Sequence, residues 1–436
     1  MSVLALGGGA LFGAWQLWLN PYRGTVSAFR PSDSLETVLS SSYAVEDFDY
    51  IVNRLKERHP ACLQGLPDEV QVEYERERMR LTSLPEVSVL SLWQSAARLL
   101  ASLGDAHTSV GVKYLDEKRL PFTFRWEQDT LYCVGNEYDG YAVVQIGGIT
   151  VTDLYQRFLK QFSYELEAWA RHSFASSLNR GPYLSFLDVD TQGEIPLVLA
   201  DAKNGDQITA TFQLHESPVD STGRTEPDFE YVLDLSTGVG IFSLRRCVYN
   251  EEYRTILLAF FTAVRDHDIR NIIVDLRGNP GGNSMVANEF VRYLPAQSYL
   301  TMTTEVRQGP IIWKNKPRRQ INQKLEPNYM GDVYVLTGPD TFSAAMDFAV
   351  LISDNALGKV IGETPGNMPS CYGDVLYFQT PNAGLAFTIS YKRFLRPDVS
   401  KRDLPLIPDV EVPSAEALTE TMRLIDKGGD IQGSEF

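Results

Sequence analysis

The string Asn271-Ile272-Ile273-Val274-Asp275-Leu276-Arg277-Gly278-Asn279-Pro280-Gly281-Gly282-Asn283 constrains the fold most. Ile272-Ile273-Val274 is continuously apolar, as a strand covered on both faces must be. It runs into a glycine-rich turn, and a helix is expected from Ser284 to Leu294. The same alternation surrounds it. Strands are expected at Gly238–Leu244, Asp332–Leu336, Lys359–Ile361 and Leu385–Tyr391, with helices at Tyr253–His267 and Ser343–Ile352. Strands separated by helices imply an α/β architecture between about 236 and 415.

Upstream the texture differs. Phe48, Ile51, Val52 and Leu55 recur at helical spacing before the breaker His59-Pro60. A charged stretch at 69–80 follows. An apolar-periodic run from Val87 to Leu103 then ends at Gly104, where a left-handed cap is expected. Residues 37–112 read as a small domain of about three helices. Short alternating runs (122–126, 130–134, 141–146 and 207–214) make 113–235 a β-rich insert with at least one helix, near 155–162. Residues 416–436 are left as a C-terminal tail.

Composition narrows the partners. Forty Lys and Arg against fifty-six Asp and Glu give a net charge of −16, which argues against a nucleic-acid ligand. The four cysteines (Cys62, Cys133, Cys247 and Cys371) form no CxxC pair, so a zinc ribbon or dense disulfide scaffold is excluded. Cys133 and Cys247 remain free to pair. Residues 3–19 contain Gln16 as their one polar side chain. As a helix they would span about 25 Å, slightly short of a ~30 Å hydrocarbon core. A signal peptide, an uncleaved anchor and a buried core helix compete for them. With the Pro- and Ser-containing linker that follows, residues 1–36 are read as a signal or anchor, and the body is expected outside the cytoplasm.

Two strand-to-helix junctions can carry chemistry. Backbone N–H groups at the 277–283 turn favour negative charge. The turn suits a phosphate, an oxyanion or nothing beyond a tight bend, and it lacks the Lys-Ser/Thr pair of a Walker loop. The second junction is Thr337-Gly338-Pro339-Asp340-Thr341-Phe342-Ser343-Ala344-Ala345. Ser343 there suits an N-cap or a nucleophile at the positive end of a helix. A nucleophilic serine needs a base. Of the five histidines (59, 107, 172, 215 and 267), His107 stands apart, framed by small and hydroxyl residues in Gly104-Asp105-Ala106-His107-Thr108. Taken alone, it reads first as a structural residue and only second as a base.

Together these strings resemble the C-terminal processing peptidases, or tail-specific proteases, a family that includes the tricorn-protease core. The matching residues are 272–283, Thr341–Ala349, Gly362-Glu363-Thr364 and Pro408-Asp409-Val410, spread within about 40–412. The helical segment ending in Gly-Asp-Ala-His-Thr, and His59-Pro60, resemble the histidine-using, tricorn-like branch. The resemblance implies a crotonase-like α/β spiral core, with Gly140–Leu154 as part of a PDZ-like module. It implies Ser343 as nucleophile and the Gly282 and Ala344 N–H groups as oxyanion hole. The lysine used by the other branch would fall on Asn367 or Met368, and neither takes a proton. Lys359 is expected to start a strand, and Lys392 would have to reach in. The base implied is therefore His107, with Asp105, Glu363, Asp398 or Asp403 as candidate third members. The activity implied is a serine endopeptidase acting on an extended or unfolded polypeptide, with no metal or organic cofactor required. A binding protein for peptides or apolar ligands on the same fold is the alternative.

Overall fold

The computed structural model describes residues 19–114, 116–135, 137–218, 226–316 and 318–427. The apolar run at 3–19 therefore lies outside the described residues, except for its last position. Among the described residues, no helix is long and apolar enough to cross a membrane. The chain divides into two compact units. The first comprises 1–222, 305–313 and 372–393, and the second 223–304, 314–371 and 394–436.

The second unit holds the α/β alternation. Its strands are β1 (Phe229–Asp234), β2 (Val239–Leu244), β3 (Asn271–Asp275), β4 (Asp332–Thr337), β5 (Lys359–Gly362) and β6 (Val410–Glu411), in that spatial order. β1 and β2 are antiparallel, and every pairing from β2 to β6 is parallel. The helices are α1 (Glu251–Asp266), α2 (Met285–Val291), α3 (Ala344–Asp354) and α4 (Ala417–Asp426). One face of the sheet packs Val274 and Val335 with Phe260, Phe290 and Phe348. The other packs Ile273 and Leu336 against Ala417 and the half-buried Met422. Coverage on both faces explains why Ile272-Ile273-Val274 is apolar without alternation. α4 falls within the segment read from sequence as a tail. Its apolar side chains close the second face of the sheet.

The first unit begins with helices at Ser41–Arg58, Asp68–Ser83 and Val89–Ala101. Ser40 and Ser88 cap the first and third through their hydroxyls. Phe48, Ile51, Val52 and Leu55 are fully buried, and the first helix stops where His59 turns extended ahead of Pro60. The β-rich segment forms an antiparallel sheet in the order 207–212, 195–200, 142–146, 130–134 and 123–127. The long strand Ala386–Leu395 pairs with Tyr372–Gln379. At Ala386 and Phe387 it also pairs with the short strand Val110–Gly111 that follows His107. All four cysteines are buried and none is in a disulfide, so Cys133 and Cys247 are not joined.

Candidate active site

In the second unit the parallel register sets Asn271 opposite Asp332 and Asp275 opposite Leu336. The two sequence-singled turns thus leave adjacent strands at the same end of the sheet, where α/β proteins place their ligands. Asn279 joins the turns. Its Nδ2 donates to Leu244 O at 2.8 Å, its Oδ1 accepts the Gly281 N–H at 2.8 Å, and its O accepts the Phe342 N–H at 2.9 Å. Thr341 Oγ1 donates to Leu276 O at 2.9 Å.

The approach admits only glycine. A Cβ at Gly281 (φ 97°) would lie 2.7 Å from Ser343 Cβ and 2.9 Å from Ala344 N. A Cβ at Gly282 (φ 139°) would lie 2.4 Å from Cys247 O. The Gly282 and Ala344 amides donate to no acceptor among the described residues. They are two uncommitted donors beside the serine turn.

Ser343 precedes α3 with φ 54° and ψ −123°, a backbone state that costs a non-glycine residue ~1–3 kcal/mol. Its hydroxyl caps none of the first-turn amides, so the N-cap role open to a serine at this place is not the one it plays. Its own N–H donates to Asn367 Oδ1 at 2.7 Å. Asn367 is buried, and its Nδ2 donates to Met368 O at 3.1 Å and to Cys371 Sγ at 3.5 Å, which fixes the amide's orientation. The position where the lysine-using branch would carry its base therefore holds an acceptor for the Ser343 backbone. One turn into α3, the Asp347 N–H donates to Ser343 O at 2.9 Å. Burial pushes the Asp347 carboxyl up to about 7, so it is largely protonated in mildly acidic solution.

His107 belongs to the first unit. Asp105, fully buried, is the hub of its surroundings. Asp105 Oδ1 accepts the His107 N–H at 2.9 Å and lies 3.9 Å from His107 Nδ1. Asp105 Oδ2 bonds His59 Nε2 at 3.1 Å and accepts the Thr108 hydroxyl. Thr388 Oγ1 donates to His107 O at 2.8 Å, so the long strand holds the turn from behind. Burial pushes the His107 pKa down, while the carboxylates of Asp105 and Asp374 push it up. The net shift is downward, which leaves a neutral imidazole at pH 7. One ligand atom each from Asp105, His107 and Glu165 lie within 4.8 Å of one another, the one such set able to hold a cation among the described residues.

The other candidates are placed elsewhere. Glu363 Oε2 accepts the Ser414 N–H at 2.8 Å, Asp398 caps the turn Val399–Lys401, and Asp403 is exposed. Lys392, in the first unit, is paired with Asp374. Lys359 opens β5. Sequence reasoning missed His59 as a partner of Asp105, Asn367 as the Ser343 acceptor, and Asp347. Only Asp347 carried a signal, its four-residue spacing from Ser343 on a helix.

Residues 241–412 match the family model of peptidase family S41. Among solved structures, the chain is similar to mature CPAF at a TM-score of 0.66 and 13% identity, covering 90% of this chain and 99% of that one. The structure of mature CPAF complexed with lactacystin gives the same TM-score and identity, with 89% and 97% covered. A Parabacteroides merdae protein described as a peptidase follows at a TM-score of 0.50 and 14% identity, with 89% and 97% covered. These likenesses establish a mixed α/β fold in common. Residues 241–412 are thus similar to peptidase family S41, whose members are serine-type peptidases, and the match spans the α/β alternation with both sequence-singled turns.

Proposed function

We propose that the protein is a serine endopeptidase that cuts extended or unfolded polypeptides through an acyl-enzyme. Ser343 Oγ attacks the scissile carbonyl carbon as its proton passes to His107. The carbonyl oxygen, now negative, is held by the Gly282 and Ala344 N–H groups. His107 then returns the proton to the leaving amine as the C–N bond breaks. Water, deprotonated by His107, attacks the acyl-Ser343 ester, and His107 gives that proton to Ser343 Oγ as the acyl C–O bond breaks and the acid leaves. Asp105 orients the imidazole. The observation that carries this reading is the serine turn. Ser343 is strained and caps no amide, and beside it stand two uncommitted donors where a developing oxyanion needs them. The crotonase-like spiral and an extracytoplasmic body belong to the same reading.

A fluorophosphonate probe is expected to label the protein at Ser343, located by peptide mapping. No labelling at high probe concentration would overturn the peptidase mechanism and favour a non-catalytic peptide- or apolar-ligand-binding protein.

Asn367 acts in this scheme as a positioning residue. Asn367→Ala leaves the Ser343 N–H buried without an acceptor, a cost of ~1–3 kcal/mol that the strained turn relaxes to avoid. If that penalty falls on the transition state, the probe's labelling rate drops by roughly ten- to a hundred-fold. KM for a peptide substrate is expected to change less than about three-fold, because the acceptor touches no substrate. An unchanged labelling rate would sink this role.

A further inference from the structure

The first unit contains a cavity of about 250 Å³ that the proposed chemistry does not use. Trp93, Phe158, Phe186 and Phe387 wall it with rings, and Ala97 and Leu100 line the same space from the third helix. Its polar groups are unusual in kind. Lys113 and Arg180 both line it, and no carboxylate does. The carboxylate whose charge acts on Lys113, Glu117, is already committed. Its two oxygens accept from Arg180 Nε at 2.7 Å and Nη2 at 2.9 Å, and it also pairs with Arg119. Three cations thus share one anion in a chain whose net charge is −16. Lys113 Nζ makes no ion pair among the described residues and lies 5.5 Å from the centre of the Phe29 ring, which also lines the cavity.

We infer that this cavity is a binding site for a small apolar monocarboxylate, its apolar arm among the rings and its carboxylate on Lys113. Apolar pockets with a few convergent polar groups are the usual form of small-molecule sites, and the volume here admits one aromatic or short aliphatic arm. A carboxylate at Lys113 supplies the missing counter-charge in a charge-assisted hydrogen bond. A neutral ligand of the same shape would fill the rings but leave the ammonium as it is, and a cationic one would add to the excess. The cavity also shares a wall with the histidine segment. Ser109 and Thr388 line it, and Thr388 Oγ1 accepts the Ser109 N–H at 3.1 Å while donating to His107 O. An occupant therefore packs against the strand that immediately follows His107.

The test is calorimetric titration of the full chain with 4-phenylbutyrate and with its neutral isostere 4-phenylbutanol. The acid is expected to bind with a Kd of about 0.1 mM, as a dozen heavy atoms at ordinary ligand efficiency allow. The alcohol is expected to bind at least about ten-fold more weakly, the margin of one charge-assisted bond. Lys113→Gln, at an exposed position, should erase that preference and leave the alcohol's affinity within about two-fold. Ala97→Phe, which fills the cavity, should remove binding of both. The inference is overturned if 4-phenylbutyrate does not bind at millimolar concentration, or if Lys113→Gln binds the acid as well as the parent protein does. Should Ala97→Phe fail to fold, the Lys113→Gln comparison decides alone.

Discussion

Ser343→Ala is expected to lower kcat/KM on an unfolded polypeptide by about 10⁴- to 10⁶-fold while leaving the urea midpoint unchanged or slightly raised. The rate falls because the hydroxyl is the only atom lost and nothing in the turn replaces it as a nucleophile. The fold is spared because that hydroxyl caps no helix amide, and the bond that holds the turn, Ser343 N–H to Asn367 Oδ1, is a backbone bond. A serine serving as N-cap would behave oppositely. Its loss would cost ~1 kcal/mol of stability and leave catalysis nearly intact. The sign of the stability change therefore separates the two roles. His107→Gln is expected to cost a similar factor. The double variant should lose no more than the worse single one, because nucleophile and base act as one unit. Additive losses, or full activity in Ser343→Ala, would end the assignment. Activity near the uncatalysed background in all three variants, with native circular dichroism, is the expected set.

What could be read from residues alone followed the range of the interactions. The β3 strand and its turn were legible because both are local. An uninterrupted Ile272-Ile273-Val274 means two covered faces, and Gly281 and Gly282 mean a backbone that something approaches closely. What approaches them was not legible. The serine turn reaches the glycine turn only because β4 pairs in parallel with β3 across about sixty intervening residues, and periodicity contains no such pairing. Family resemblance supplied that step. The positive φ of Ser343 was hidden for a related reason, since serine gives no hint of a conformation that glycine normally takes. Asn367 was noticed for the proton it could not accept. Its use as an acceptor was invisible, because the partner is a backbone N–H that every residue but proline carries. His59 was visible as a helix end and, with Pro60, as part of the resemblance to the histidine-using branch, but not as a partner of Asp105. Its bond to Asp105 joins residues 46 apart through the folded chain.

Asp105→Asn carries the second large expectation, in stability and in rate. The carboxylate is fully buried, and burial alone would push its pKa up. His59, His107 and the Thr108 hydroxyl outweigh that cost and hold it far below the usual carboxylate range. A folded pKa below the unfolded value of ~3.9 means the unfolded state binds the proton more readily. The contribution is therefore complete above about pH 4 and is lost as pH falls below it. Removing one partner of such a buried set costs ~3–5 kcal/mol at pH 7. The difference in urea stability between parent and Asp105→Asn should narrow steadily from pH 4 downward. A gap that stays constant with pH would mean that the charge is not what stabilises the site. The kinetic consequence is distinct. Asp105 raises the His107 pKa against burial, so its neutral replacement lets that pKa fall. With His107 as base, the acid limb of kcat/KM then moves to lower pH. The plateau drops by about 10²- to 10⁴-fold, since the imidazole loses the neighbour that orients it. A lowered plateau with an unmoved limb would assign Asp105 to the scaffold alone. A moved limb ties the buried carboxylate to the proton that His107 carries.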